Sequence, residues 1–410
     1  MNYLSKPLII ILILGFISGL PLALTASTLA LWLAESKIDI AKIGLFSLVA
    51  IPYSLKFIWS PFIDIYLLPI LGQKLGRRRS WMILTQILLA VFLAILALAQ
   101  TDNIFITAIL AILIAFCSAS YDIVFDAYRV EILSLEKQGE GVAMTQLGYR
   151  IGMIISSAGA LYSAEYFGWQ TTYLMMALIV ASIGIVTVII AKEPDESNSR
   201  NLSHKINLKS LSEPFLDFMK TKDWVLIILF VISYKLADAF IGVVTNPFLR
   251  EIGFSKIDIA NIVKIYGVVA TLSGIFIGGA LVERFGAIKI MFIAGFLHAI
   301  TNLLYMVQAE VGLNHALLAT SVVVENLTGG ISSAAFIAFL GNLCSRNYTA
   351  TQYAILSSMA AIGRNFLAAP AGYVVKTLGW YWFFLIAATL AIPALIILHI
   401  LNKRIMKSRL

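Results

Sequence analysis

Twelve runs of predominantly apolar residues divide the chain, and they constrain its fold more than any other feature. Each approaches the length of about 20 residues that a helix needs to cross a bilayer core of roughly 30 Å. The runs begin near Leu8, Ile40, Trp81, Ile104, Gly141, Trp169, Val225, Ile259, Ile288, Leu313, Tyr353 and Trp380. Only 13% of the residues are charged, whereas about a quarter is usual in soluble domains. The sequence therefore predicts an all-α integral membrane protein with 12 transmembrane helices.

The positive charges predict how these helices are oriented. Most of the 30 Lys and Arg residues fall on the side of the membrane where the chain begins, and few fall on the other side. The positive-inside rule then places both termini in the cytoplasm. We expect the first run to be retained, because it stays apolar to about Leu33, beyond the usual about 7–15 residues of a signal peptide. The net charge of +8 is therefore a topology signal, and no basic block indicates a nucleic-acid partner.

An internal repeat predicts two halves. Ser36-Lys-Ile-Asp-Ile-Ala41 recurs unchanged as Ser255-Lys-Ile-Asp-Ile-Ala260, and Gly168-Trp169 recurs as Gly379-Trp380. Such parallel duplication of six helices is known in transporters whose halves are related by a pseudo-two-fold axis. We predict an N-terminal half over 1–192, a cytoplasmic linker over 193–223 with a weakly amphipathic segment near 208–219, and a C-terminal half over 224–410.

The loop after the second predicted helix carries a recognisable motif. Asp64 followed by Gly76-Arg-Arg-Arg79 resembles the signature loop of the major facilitator superfamily, and Glu283-Arg284-x-Gly286 is its second copy. Within that superfamily the chain resembles the AmpG muropeptide permeases from end to end. The matching stretches are 15–25, 43–49, 55–64, 76–79, Asp122-Ile-Val-Phe-Asp-Ala-Tyr-Arg129, 148–150, 325–330, 350–354 and 363–364. Tyr121 stands where that family usually has Gln.

The resemblance implies a fold and a function. The fold is the major facilitator fold, in which rocking of the halves exposes a midplane site alternately to each side. The function is proton-coupled import of anhydromuropeptides, GlcNAc-anhydroMurNAc peptides, across the bacterial inner membrane for peptidoglycan recycling. The partners are an anionic glycopeptide, protons and membrane lipid, and we expect a monomer. The family loop implies gating residues, namely Asp64, Gly76, Arg77, Arg78, Arg129, Glu283 and Arg284.

Nine ionisable residues lie inside the apolar runs, where charge is costly and usually functional. The acids are candidates for proton coupling, and they are Asp122, Asp126, Asp238 and Glu325. The cations are candidates for binding substrate carboxylates, and they are Lys56, Arg150, Lys235, Lys264 and Arg364. The alternative is that these charges pair permanently with each other.

Spacing refines the predictions for the acids. Asp122 and Asp126 are four residues apart and share one helical face. Asp122 is a proton carrier or ligand, or else the structural partner of Arg129 or Arg150. For Asp126 a network with Arg129 and Arg77 is favoured.

Lys235 and Asp238, at i and i+3, are expected to pair when no ligand is present. Four tyrosines neighbour the buried charges, where they are able to stack on sugar faces or simply fill the core. They are Tyr53, Tyr149, Tyr234 and Tyr266. The glycine pairs 148/152 and 274/278 allow close helix contact, either as a sliding seam between the fifth and eighth predicted helices or as ordinary packing.

Other functions are disfavoured. The four His and two Cys residues show no metal-ligand or catalytic spacing, and no Gly-rich phosphate loop is present. We expect no enzyme activity, cofactor or metal. Two alternatives stay open, a permease for another bulky anion such as an acyl-CoA or a nucleotide, and a membrane sensor that does not transport. The many buried charges argue against the sensor.

Overall fold

The described residues of the chain are overwhelmingly helical. The computed structural model describes residues 5–38, 46–99, 103–194, 208–255, 258–366 and 370–407. Nine helices within them are long and apolar enough to cross a membrane. Because these helices are apolar around most of their circumference, lipid or protein surrounds them on every side.

The helices of the first part of the chain follow the predicted runs. They are α1 Lys6–Thr25, α2 Ser27–Glu35, α3 Ile51–Leu55, α4 Ser60–Ile65, α5 Leu71–Leu75, α6 Arg77–Ala99, α7 Ile104–Ile132, α8 Gln138–Ile154 and α9 Ala160–Ile190. The second run is broken into short pieces, with 3-10 turns at Phe46–Ala50 and Lys56–Ile58. Pro52 and Pro61 near the starts of α3 and α4 lack the amide donor that a continuous helix needs.

The remaining helices include the predicted amphipathic segment, which forms α10. They are α10 Leu208–Lys220, α11 Trp224–Tyr234, α12 Leu236–Glu251, α13 Gly267–Phe285, α14 Ala287–Val311, α15 His315–Leu343, α16 Thr349–Phe366, α17 Ala371–Thr389 and α18 Ala391–Lys407. π-Helical turns lie at Ile155–Gly159 and Ile259–Tyr266.

Glycines at repeat-related positions share one unusual backbone conformation. Gly76 and Gly286 have φ of 83° and 82°, and Gly168 and Gly379 have φ of 78° and 79°. With ψ between 151° and 173°, all four lie in a region that is essentially restricted to glycine. The same turns therefore recur in both halves of the sequence, as the repeat predicts.

The contacts divide the chain into two compact units, and each includes a short segment from the other half of the sequence. Unit 1 comprises Met1–Ser134, Met144–Leu216 and Cys344–Ile355. Unit 2 comprises Leu135–Ala143, Asp217–Leu343 and Leu356–Leu410. The domain boundaries predicted from the repeat, at 192 and 224, stay a prediction.

The two glycine pairs pack within their own halves of the sequence, so the predicted seam is not formed by them. A Cβ on Gly148 would lie 2.1 Å from the carbonyl oxygen of Leu12 in α1. A Cβ on Gly274 would lie 2.1 Å from the carbonyl oxygen of Leu327 in α15. Helices α8 and α13 do approach each other within unit 2, but at Gly139, whose Cβ would lie 2.5 Å from the carbonyl oxygen of Gly279.

Candidate functional site

The half-buried acids of α7, Asp122 and Asp126, lie on one helical face, as their spacing predicts. The Ser18 hydroxyl in α1 donates a 2.6 Å hydrogen bond to Oδ1 of Asp122. Lys56 Nζ lies 3.8 Å from Oδ2 of Asp126, and the lysine side chain is only 10% exposed. Lys56 thus pairs with an acid of α7, while the carboxylate of Asp122 has a neutral donor beside it.

Arg150 stands apart from these pairs. It is half-buried in α8, and the described residues contain no ion pair to its guanidinium. Tyr53 and its neighbour Tyr149 are half-buried as well. A guanidinium offers planar bidentate donation to a carboxylate, so Arg150 is chemically suited to an anionic ligand.

Tyr121, at the position where the family resemblance implies Gln, is fully buried in α7. Its hydroxyl donates a 3.0 Å hydrogen bond to the carbonyl oxygen of Leu14 in α1. A Gln side chain would offer both a donor and an acceptor here, whereas the tyrosine ring fills the space and donates once. This residue therefore joins α1 to α7.

Unit 2 contains a second, half-buried charge network, around Asp238 in α12. The predicted pair is confirmed, because Lys235 Nζ lies 2.8 Å from Oδ2 of Asp238. The other carboxylate oxygen lies 2.6 Å from Nε2 of His298 in α14. Lys235 also donates to the Ser333 hydroxyl in α15 at 2.8 Å, so three helices share the network.

Glu325 in α15 has neutral partners. The hydroxyl of Tyr305 donates to its Oε2 at 3.0 Å, and Nδ2 of the adjacent Asn326 donates to the same atom at 3.1 Å. A carboxylate with only neutral donors around it is the kind of group that a proton can join without breaking an ion pair.

The remaining predicted binding residues have different surroundings. The Tyr234 hydroxyl donates to the carbonyl oxygen of Met291, and its ring stacks on Phe336 at a centroid distance of 5.1 Å, so packing occupies it. Tyr266 is 50% exposed at the end of its π-helical turn. The side chains of Lys264 and Arg364 lie outside the described part of the chain.

The first motif loop forms a buried network in unit 1. Arg78 Nη2 donates to Asp64 Oδ1 at 2.8 Å, and the same guanidinium bonds both carboxylate oxygens of Glu131, at 2.5 and 2.9 Å. Arg77 donates to the carbonyl oxygen of Asp64 at 2.6 Å. Arg129 is fully buried with its guanidinium carbon 5.5 Å from the ring centroid of Tyr353.

Asp64 also caps helix α16. Its carboxylate accepts hydrogen bonds from the backbone N–H groups of Thr351 at 2.6 Å and Ala350 at 3.3 Å. An acidic group is favoured at a helix N-terminus, where the first N–H groups have no partner within the helix. Asp64 thus bonds Arg77, Arg78 and the start of α16, while Asp126 has Lys56 3.8 Å away. The network predicted for Asp126 with Arg129 and Arg77 stays a prediction.

The second copy of the motif is organised differently. Glu283, Arg284 and Gly286 are all exposed. The Arg284 guanidinium carbon lies 5.2 Å from the ring centroid of Phe285, and Nζ of Lys289 lies at the same distance from that ring. Burial and carboxylate partners thus distinguish the first loop from the second.

Several partners in these networks were missed from the sequence. His298 shows no metal-ligand or catalytic spacing, but a histidine inside an apolar run itself indicates a buried polar contact. Glu131 follows the specific block 122–129, and Glu193 begins the polar linker, where a charge looks unremarkable. Ser18 carries no signal, because serines are common in membrane helices. Among the described residues no cluster of His, Cys, Asp or Glu is arranged to hold a metal ion.

The fold and the buried charges together define a class, the helical membrane transporters. The sequence profile of the Major Facilitator Superfamily matches residues 11–241 and 226–408. The chain therefore belongs to that superfamily, and within it to the family of the AmpG proteins, which its relatives define. It is a multi-pass inner-membrane secondary transporter and not an enzyme.

Two relatives establish the closer family. A protein of Rickettsia conorii named AmpG 4 is 40% identical over 414 residues, which cover 96% of each chain. The anhydromuropeptide permease of Escherichia coli K12 is 38% identical over 403 residues, covering 98% of this chain and 80% of the permease. The predicted family is thereby confirmed.

Solved structures confirm the fold. The human organic anion transporter MFSD10 has a TM-score of 0.72 at 14% identity, covering 96% of this chain and 99% of its own. The proton:xylose symporter XylE has a TM-score of 0.70 at 13% identity, covering 96% of this chain and 95% of its own. At such low sequence identity these two structures show the similarity of the fold alone.

Proposed function

We propose that this chain imports anhydromuropeptides from the periplasm to the cytoplasm, coupled to protons, as a monomer with both termini in the cytoplasm. The observation that carries the substrate is the 38% identity to the Escherichia coli anhydromuropeptide permease across 98% of this chain. The imported compound is a GlcNAc-anhydroMurNAc peptide, a glycopeptide with sugar faces and several carboxylates.

Cations inside the apolar runs match the carboxylates of such a ligand. Arg150 is the main anchor in this proposal, because it is half-buried in a membrane helix without an ion pair among the described residues. Lys235 is the second, since a substrate carboxylate is able to replace Asp238 at its ammonium group. Lys56, Lys264 and Arg364 complete the cationic set, and Tyr53, Tyr149 and Tyr266 are proposed to contact the sugars.

Proton coupling is assigned to the acids with the fewest charged partners. Asp122 is hydrogen-bonded to the neutral Ser18 at 2.6 Å, so its protonation breaks no ion pair within 4.0 Å among the described residues. Glu325 has the same property in unit 2. Asp126 instead pairs with Lys56, and Asp238 pairs with Lys235. Protonation of either acid is proposed to break its ion pair.

The first motif loop supplies the gating step in this proposal. The Asp64 carboxylate accepts hydrogen bonds from two N–H groups at the start of α16, and it forms an ion pair with Arg78. Alternating access requires these bonds to break and reform in each cycle, because Asp64 lies in the first half of the sequence and α16 in the second. The neighbouring charges of Arg77, Arg129 and Glu131 keep the loop ordered while the bonds are open.

The substrate is tested by uptake. We expect the chain to restore accumulation of labelled anhydromuropeptide in cells that lack their own permease, and a protonophore to abolish it. Labelled acyl-CoA and a labelled nucleotide are the comparison substrates. Background uptake of the muropeptide, with the protein present in the membrane, would contradict the substrate assignment, and uptake of either comparison anion would identify the alternative permease.

The proton carrier is tested by Asp122→Asn. We expect accumulation against a gradient to fall to passive equilibration, while exchange of labelled for unlabelled substrate continues, because only the proton step is lost. Asp217→Asn, on the amphipathic helix α10, is the matched control and should accumulate substrate normally. Undiminished proton-driven uptake in Asp122→Asn would exclude Asp122 as the carrier.

A further inference from the structure

A groove of about 860 Å³ lies in unit 2 where helices α14, α15 and α18 come together, and its lining includes none of the described residues proposed for substrate binding or proton coupling. We name it the α14 groove. Its walls include Gly286, Lys289, Phe292, Phe339, His399 and Asn402. Most of this lining is apolar, while Lys289 near the start of α14 and His399 and Asn402 of α18 supply polar groups.

The charge of the groove is suited to an anion. None of the described residues that line it is acidic. Lys289 is exposed, with Nζ resting 5.2 Å from the ring centroid of Phe285, and the guanidinium of Arg284 lies at the same distance from that ring. For the proposed orientation this end of α14 faces the cytoplasm, where anionic lipid headgroups attract cations near the membrane surface.

The internal repeat shows what occupies the corresponding place in the first half. There the carboxylate of Glu193 accepts hydrogen bonds from the backbone N–H groups at the start of α6, from Arg78 at 2.7 Å and from Arg79 at 3.0 Å. The offset that relates Gly76 to Gly286 matches Arg78 and Arg79 with Ile288 and Lys289, whose amides lie at the start of α14. The first half therefore binds a pair of anionic oxygens at this position with its own side chain.

In the second half that side chain is missing. The same offset that relates Gly168 to Gly379 places Arg404 where Glu193 stands in the sequence, and the Arg404 guanidinium pairs with Asp223. No side chain among the described residues caps the start of α14, although Gly286 keeps the turn of Gly76 with φ of 82° against 83°. The position thus combines two helix N–H groups, a lysine and a groove, without an internal acid.

The apolar wall indicates a ligand with a hydrocarbon chain. Phe292 is 41% exposed and Ile293 is 46% exposed, and both continue from the groove along α14 into the membrane-spanning part. Phe339 and Leu398 close the inner side and are buried. Small inorganic anions would leave this apolar surface unoccupied, whereas an acyl chain would cover it.

We propose that the α14 groove binds an anionic phospholipid from the cytoplasmic leaflet. A phosphate oxygen takes the place that Glu193 has in the first half, at the N–H groups of Ile288 and Lys289, and the Lys289 ammonium group adds a charge contact. One acyl chain lies along Phe292 and Ile293. This site is separate from the proposed transport residues, and its occupancy does not depend on what the protein transports.

The test is lipid binding to the purified full-length protein, measured by native mass spectrometry during titration with dioleoyl-phosphatidylglycerol. Phosphatidylcholine of the same chain length is the reference lipid. We expect Lys289→Gln to weaken phosphatidylglycerol binding about fivefold, the effect of one charge near a membrane surface. Lys289→Glu should weaken it further, and phosphatidylcholine binding should be unchanged in both variants. Lys74→Gln, in the first-half loop, is the matched control and should bind as the wild type does.

A second measurement locates the lipid. A phosphatidylglycerol with a photoreactive acyl chain should crosslink to peptides containing 285–293 or 398–402, and Asn402→Trp, which fills the groove, should remove these crosslinks. Crosslinks elsewhere, or equal binding of phosphatidylcholine, would overturn the proposal. Displacement of phosphatidylglycerol by an equal concentration of inorganic phosphate would also overturn it, because the acyl chain would then contribute nothing.

Discussion

The two copies of the motif loop have the same backbone turn and opposite environments. Gly76 and Gly286 differ by one degree in φ. Yet Asp64 is 1% exposed and bonded to Arg78 and to the start of α16, whereas Glu283 is exposed on its helix end. The turn is therefore present in both halves, whereas the buried carboxylate–arginine bonds described around it belong to the first loop.

The difference comes from what surrounds each loop. The first loop has two further acids nearby, Glu131 at the end of α7 and Glu193 after α9, and both bind the arginines or amides that follow Gly76. The second loop has Arg404 at the position related to Glu193. A turn with the same geometry therefore becomes a closed network in unit 1 and an open, cationic groove edge in unit 2.

Removing the central acid is the strongest test of this contrast. Asp64→Ala leaves the buried Arg78 with one carboxylate fewer and leaves two N–H groups of α16 without their cap. We expect a loss of about 3–5 kcal/mol in unfolding free energy, together with loss of uptake. Glu283→Ala, at the exposed counterpart, should stay within about 0.5 kcal/mol of wild type. Thermal unfolding of both purified variants measures the difference, and equal losses would show that the two loops are equivalent.

Adding a methyl group to each glycine tests whether the turn or its surroundings matters more. Both Gly76→Ala and Gly286→Ala incur the strain of a glycine-only backbone conformation, about 1–3 kcal/mol. In addition, a Cβ at Gly76 would lie 2.4 Å from Cδ of Glu193 and displace that carboxylate from its two N–H groups, whereas nothing lies within 4 Å at Gly286.

We therefore expect Gly76→Ala to be the less stable variant by about 1 kcal/mol, the value of a helix cap. Denaturation of the two variants side by side checks this. Identical stabilities would mean that the bonds of Glu193 adjust without cost.

The repeated hexapeptide offers the mildest test of how far the halves correspond. In the second copy the Ser255 hydroxyl and N–H donate to the Asp258 carboxylate at 2.6 and 2.9 Å, and Asp258 N–H donates back to the Ser255 hydroxyl at 3.0 Å. This reciprocal cap, with His315 3.2 Å away, lowers the pKa of Asp258 below its ordinary value. In the first copy Ser36 is described, whereas Asp39 lies outside the described residues.

A lowered pKa stabilises the folded state above the ordinary pKa of about 3.9, and this contribution is lost as the pH falls through the lowered value. We expect Asp258→Asn to unfold at a slightly lower temperature than wild type near neutral pH, and the gap to close in acid. Ser255→Ala should show the same pattern to a smaller extent, because it removes the hydroxyl that donates to the Asp258 carboxylate and leaves the backbone N–H bond. A gap that persists below the lowered pKa would assign the effect to something other than the charge of Asp258.

The buried charges of the candidate site are predictable from the sequence, because charge inside an apolar run is costly wherever it occurs. That cost alone identified Asp122, Asp126, Lys235 and Asp238, and the i, i+3 spacing correctly paired the last two. The partners that come from other helices were not accessible. His298 lies 60 residues from Asp238 along the chain, and no local spacing connects them.

The sequence by itself determined the class of protein, most of the helices and the duplication, because these depend on the length and polarity of segments and on residues that recur at matching positions of the two halves. Only the tertiary structure decided which charges are paired. Lys56 pairs with Asp126, and Asp64 caps α16. The glycine pairs 148/152 and 274/278 pack within their own halves of the sequence. The physical reason is that ion pairs and close contacts act over a few ångströms in space, and residues distant in sequence come within that range only once the helices have packed.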